Sequence, residues 1–304
     1  MKVRRATSQL VRAGVMLLAL THLWGCAPLT LGIANLPARF GPETRLAPVQ
    51  YGEHPRQRLE VFLPGGTATA TRPVVVFFHG GSWSRGKPED YRFVGHALAR
   101  AGFVAVLAGY RLYPDVRFPD FVADAAAAIA WSHTHAGDWC GDAGRLFVAG
   151  HSAGAHVAML VALDQRWLGT ADAAGAIRGA IGLSGPYDFL PLDSSLLRAI
   201  FGAALPLSDT QPVRFVSAAA PPVLLVHGRG DAIVRPGNSE RLAAALEAEG
   251  TAVTLRLYDD LGHGDTIAAF SPLRRGLAPV LEEIRTFIDS AGGATPQLAC
   301  AQRD

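Results

Sequence analysis

Two apolar patterns alternate along this chain. Short, continuous runs rich in β-branched residues occupy Leu59–Leu63, Val74–Phe78, Val104–Ala108, Leu146–Ala149, Ala180–Leu183, Val223–Val226 and Val253–Tyr258. Between or after most of them the apolar residues recur every three or four positions, in Tyr91–Arg100, Phe121–His135, Ala153–Leu163, Asn238–Glu249 and Leu277–Ser290. The first pattern predicts buried strands and the second predicts helices. A strand that is apolar on both sides must be covered on both, and strands separated by helices run parallel. The expectation is therefore an α/β fold with a mostly parallel central sheet and helices on both faces. No internal repeat is visible. The stretch 186–222 breaks the alternation and is longer than a simple connection, which predicts a small lid or pocket wall.

The ends follow different rules. Residues 1–25 hold Lys2, Arg4, Arg5 and Arg12 without an acidic residue, then a short apolar stretch from Ala13 to Leu20. A basic start followed by an apolar segment too short to span a bilayer predicts a signal peptide. It ends in Leu23-Trp24-Gly25-Cys26, which resembles the lipobox of bacterial lipoproteins, although Trp24 stands where a small residue is usual. That resemblance implies lipidation of Cys26 and anchoring in the cell envelope; an ordinary signal peptide would leave the protein periplasmic or secreted. Residues 26–55 are Pro-rich and read as an irregular tether, 56–290 as the main domain, and 291–304 as a polar tail.

Charge adds an exclusion. The formal net charge is +2, and setting aside the four N-terminal cations leaves −2. A body so close to neutral offers no basic patch for nucleic acid. With Cys26 set aside, Cys140 and Cys300 remain as a pair available for a disulfide in an oxidising compartment. No spacing suggests a metal site.

The chemistry lies at strand exits, where crevices in such sheets open. Gly150-His151-Ser152-Ala153-Gly154 stands between a predicted strand and a predicted helix, the context that G-x-S-x-G requires. The glycines let strand and helix approach, and the helix start aims the Ala153 N–H at a developing oxyanion. A serine needs a base, and His263, between two glycines after the last strand, is the candidate. Asp231, after the strand Val223–Val226, is the candidate carboxylate. The order Ser152, Asp231, His263 is that of the α/β-hydrolases. His79-Gly80-Gly81-Ser82-Trp83 follows an early strand and supplies further oxyanion donors, Gly81 foremost and Gly80 beside it. His79 is expected to brace that loop, His151 to pack away from Ser152, and His227 to support Asp231. Trp83 and Tyr187 are expected to line the acyl or alcohol pocket, and Arg111 with Asp124 to form a buried brace.

Together, the H-G-G-S-W loop, Gly109-Tyr110-Arg111-Leu112-Tyr113-Pro114, G-H-S-A-G and the segments around Asp231 and His263 resemble α/β-hydrolase serine esterases over roughly residues 50–290. The similar groups are small carboxylesterases, hormone-sensitive-lipase-like and feruloyl-esterase-like enzymes, and kynurenine formamidases. The third glycine usual in hormone-sensitive-lipase-like loops is absent. The resemblance implies the α/β-hydrolase fold and hydrolysis of carboxylic esters through an acyl-enzyme, without a cofactor, and the expected substrate is a small or short-acyl ester. The same three residues also serve formamide or peptide cleavage. A non-catalytic binding protein on this fold would be expected to lose one of them.

Overall fold

A computed structural model of the chain describes residues 34–35, 43–66, 70–171, 173–292 and 300. Among these, the strands are β1 (Thr44–Arg45), β2 (Val49–Gln50), β3 (Arg58–Leu63), β4 (Arg72–Phe78), β5 (Val104–Ala108), β6 (Gly141–His151), β7 (Ile177–Leu183), β8 (Val223–Gly228) and β9 (Val253–Tyr258). They form one sheet in the order β1-β3-β5-β4-β6-β7-β8-β9, with β2 pairing with β3. The strands from β5 to β9 along this order are parallel, and β3 joins β5 antiparallel. The helices are α1 (Arg92–Arg100), α2 (Asp120–His135), α3 (Ala153–Leu163), α4 (Arg166–Thr170), α5 (Ser195–Phe201), α6 (Gly237–Ala248), α7 (Asp265–Ala268) and α8 (Val280–Ala291).

Strand geometry sends successive side chains to opposite faces, and the apolar runs fill both. Val74, Val76, Phe78, Val106 and Val148 pack into a core with α2, α3 and α6. Their neighbours Val75, Phe77, Leu107 and Phe147 pack into a second core with α1 and α8. Helix α3 is buried at every position, as a helix apolar all round must be. The predicted α/β architecture is the one observed.

Residues 26–55 differ from the irregular tether expected. Their described part adds β1 and β2 to the edge of the sheet, antiparallel to β3. Strands of two residues are too short to show a period, so the sequence pattern hid them. Asn35 also caps the start of α1: its Oδ1 accepts from the Phe93 N–H at 2.8 Å, and its Nδ2 donates to the Glu89 and Asp90 carbonyls at 3.2 Å. The expected signal segment 1–25, Cys26 and most of the tail lie outside the described residues. Cys300 is joined to Cys140 by a disulfide. Segment 186–222 carries α5 and two short 3₁₀ turns, Leu207–Thr210 and Pro212–Phe215. Among the described residues no helix is long and apolar enough to cross a membrane.

Candidate active site

Strand β6 runs into Ser152, whose backbone takes φ +55° and ψ −123° before α3 begins. A non-glycine residue is strained there and persists only where its surroundings hold it. The flanking glycines explain how so sharp a turn closes: a Cβ at Gly150 would strike the Gly154 carbonyl, and one at Gly154 would strike the Phe78 carbonyl. The Ser152 N–H donates to the Leu183 carbonyl at 2.9 Å, fastening the turn to β7.

Two further strand exits bring the other candidates to this turn. His263 follows β9, and its Nε2 lies 2.9 Å from Ser152 Oγ. Its Nδ1 lies 2.8 Å from Asp231 Oδ2, beyond the end of β8. A carboxylate only accepts, so His263 carries its proton on Nδ1 and leaves Nε2 to accept from the serine hydroxyl. Asp231 Oδ1 accepts from the Ile233 and Val234 N–H groups at 2.9 and 2.8 Å. His227 stands 3.2 Å from Oδ2 and is itself fixed between Ser239 and the Val234 carbonyl. Burial pushes the Asp231 carboxyl up, but the hydrogen bonds with His227 and His263 outweigh it, and the group is held well below the usual carboxylate range. It is therefore charged whenever His263 needs it.

The expected oxyanion donors lie on adjacent loops, because β4 and β6 are neighbours with Phe78 level with Gly150. Gly81 takes φ +126°, and its carbonyl accepts from the Ser84 and Arg85 N–H groups at 3.1 and 3.0 Å, which fixes the loop. Among the described residues neither the Gly81 N–H nor the Ala153 N–H has an acceptor. Gly80 departs from the expectation. Its N–H donates to Tyr91 Oη at 3.2 Å and is not free for a substrate oxygen.

The BD-FAE family model matches residues 59–246, which takes in the H-G-G-S-W loop, the Ser152 turn and Asp231. The chain belongs to the BD-FAE family. It is 33% identical over 263 residues to "Probable isoprenylcysteine alpha-carbonyl methylesterase ICMEL1" of Oryza sativa subsp. japonica, covering 79% of this chain and 61% of that protein. It is 31% identical to "Probable carboxylic ester hydrolase LipM" of Mycobacterium tuberculosis, covering 61% of this chain and 48% of that one. The chain thus spans about three fifths of the first of these relatives and half of the second. Among solved structures, an inhibited esterase B from Lactobacillus rhamnosis superposes with a TM-score of 0.75 at 21% identity, covering 91% of this chain and 96% of that one. At that identity the likeness is one of fold.

The surroundings of this BD-FAE site correct two further expectations. Trp83 and Tyr187 do not face an open pocket. Trp83 is buried, donates from Nε1 to His156 Nδ1 at 3.2 Å, and packs edge-on against Phe201 at 4.8 Å. Tyr187 is fully buried against Gly182 and Gly185. The space beside His263 is instead a cavity of about 540 Å³ walled by Tyr91, Phe93, Ile233, Ile267 and Leu273. Sequence reading missed these residues, because they come from separate helices and loops with no shared motif. Other expectations agree with the geometry. His79 Nδ1 donates to the Gly80 carbonyl at 2.8 Å while its ring stacks on Tyr110. Arg111 and Asp124 pair at 2.7 Å, with Gln57 as a third partner.

Proposed function

We propose that this chain hydrolyses carboxylic esters through an acyl-enzyme on Ser152. The observation that carries the reading is the continuous path from Asp231 to His263 to the Ser152 hydroxyl, at 2.8 and 2.9 Å. His263 takes the Ser152 proton as Oγ attacks the ester carbonyl, and the Gly81 and Ala153 amides receive the oxyanion. His263 then returns the proton to the leaving alcohol, and water repeats the sequence on the acyl-enzyme. The family and the ester-hydrolase names of the relatives support the reaction class. The apolar cavity bordered by His263 supports an ester carrying a modest apolar group.

Export to the cell envelope, with Cys26 lipidated, belongs to the same proposal. Its supports are the cationic, apolar leader with its lipobox-like end and the Cys140–Cys300 disulfide, a bond that persists in oxidising compartments.

The decisive experiment is Ser152→Ala assayed with p-nitrophenyl acetate and with a fluorophosphonate label. Turnover and labelling both disappear while the circular dichroism spectrum is kept. Full activity in the variant would overturn the assignment.

A further inference from the structure

The Gly80 N–H does not face the oxyanion, but it does not end in an isolated contact either. Tyr91 Oη, which accepts it at 3.2 Å, lies 3.4 Å from His151 Nδ1, and His151 Nε2 lies 3.0 Å from the backbone carbonyl of His263. The protons can be assigned without ambiguity. The His263 carbonyl can only accept, so His151 carries its proton on Nε2 and donates it there. The bare Nδ1 of the neutral ring then accepts the Tyr91 hydroxyl hydrogen, while the tyrosine oxygen takes the Gly80 N–H. The chain runs Gly80 N–H to Tyr91 O–H to His151 to His263 C=O, with Tyr91 and His151 each giving one hydrogen and taking one. Such a chain needs both side chains neutral. Burial is the main cause that pulls His151 down to about 3 and pushes Tyr91 up to about 12.

The two ends of this chain decide its meaning. One is the residue before Gly81 on the oxyanion loop, and the other is the backbone of the base. The middle is the residue before the nucleophile, which takes no part in bond making. The chain thus joins the loops after β4 and β9 to the end of β6, three places whose relative placement determines whether a substrate carbonyl meets donor, nucleophile and base together. Both linking side chains are nearly inaccessible, at 5% and 6% exposed. The oxyanion loop rests directly on them: a Cβ at Gly80 would lie 3.0 Å from Tyr91 Oη and 3.1 Å from His151 Nδ1. A side chain at 80 would press on the relay and on the His151 carbonyl, whereas one at 81 would meet both a strained backbone angle and the Arg85 carbonyl.

We propose that Tyr91 and His151 are positioning residues that hold the oxyanion loop and the catalytic base in register as one hydrogen-bonded unit. The inference rests on Ser152, His263 and the Gly81 and Ala153 amides being the reacting groups. Misplacement of reacting groups by about an ångström costs on the order of 100-fold, and loss of one oxyanion donor 100- to 1000-fold. Severing the relay loosens groups without removing any. Tyr91→Phe and His151→Leu are therefore each expected to lower kcat on p-nitrophenyl acetate by about 10- to 100-fold, a larger change than the one in KM that follows from their place on the wall of the cavity beside His263. Affinity for a trifluoromethyl ketone, which forms an oxyanion on Ser152, falls in parallel.

A double-mutant cycle separates this role from packing. Groups acting as a unit are non-additive, so the double variant loses no more than the worse single one, whereas independent effects multiply. His151→Gln provides the second route should the leucine variant not fold. It keeps a donor for the His263 carbonyl but offers Tyr91 no acceptor at the Nδ1 position, so adding Tyr91→Phe to it changes kcat by about twofold or less. The proposal is overturned by single variants with wild-type kcat, by losses that multiply, or by losses in KM alone with ketone affinity kept. A wild-type protein that turns over no ester sinks the hydrolase reading itself, and the relay with it.

Discussion

Asp231 keeps its two oxygens in unequal company, and that asymmetry makes a sharp prediction. Oδ1 is committed to two backbone donors, the Ile233 and Val234 N–H groups, while Oδ2 faces the His263 ring. An asparagine here must leave its oxygen with the backbone amides and turn its NH₂ toward His263 Nδ1. A donor at that place selects the wrong tautomer, with the ring proton on Nε2 aimed at Ser152 and no lone pair to take the serine proton. Asp231→Asn is expected to lower kcat by about 10⁴-fold with KM within a few-fold, read from steady-state kinetics on a p-nitrophenyl ester. A loss below about tenfold would mean that Asp231 does not orient the base. At this scale the sequence was informative wherever a residue type stood in a distinctive local setting. Ser152, Asp231 and His263 each follow an apolar run at a glycine-rich exit, and the geometry brings all three together. Nothing local separates Gly80 from Gly81. Which amide is free depends on Tyr91, eleven residues away.

Elements explain why the loop after β4 was only half legible. Its motif suggested a pocket wall at Trp83, but α5 and its neighbours fold back over that ring. Phe201 is fully buried and meets Trp83 at 4.8 Å, Phe189 at 5.4 Å and His156 at 5.6 Å, measured between ring centres. His156 extends the same seam, accepting from Trp83 on Nδ1 and donating from Nε2 to the Thr210 carbonyl at 2.8 Å. The segment 186–222 is therefore clamped to α3 and to the oxyanion loop, although its sequence shows no period to announce this. Short helices and 3₁₀ turns repeat too few times to give one. Removing the keystone tests the clamp. Phe201→Ala is expected to cost about 3–5 kcal/mol in urea unfolding, the range for emptying a buried aromatic site. A cost under about 1 kcal/mol would show that the segment is only loosely seated. The sheet itself was read well because its strands bury both faces, whereas β1 and β2, at two residues each, were invisible.

Across the whole molecule, three buried histidines couple folding to acid. Burial chiefly holds His79 at about 4, His151 at about 3 and His156 at about 4. All three are lowered, whereas an unfolded histidine titrates near ~6.5. Between those limits the unfolded chain binds protons that the native one refuses, so stability is full above about pH 6.5 and is lost as pH falls toward the folded values. His96, half-buried, is displaced in the same direction. Asp231 joins only below about pH 4, where an unfolded carboxylate begins to protonate. Near pH 5 the three histidines together give a slope of about 4 kcal/mol per pH unit, at about 1.4 for each proton. Urea unfolding at pH 7, 6 and 5 measures it directly: a loss of about 2 kcal/mol in the first step and about 3–4 kcal/mol in the second. Equal stability at pH 7 and 5 would mean that these imidazoles already titrate in the folded chain. Because they brace the oxyanion loop, the serine turn and the Trp83 seam, protonating them breaks the loops around Ser152 before it reaches the strands behind them. Ester turnover should therefore fail in acid at or before the loss of secondary structure, and never after it.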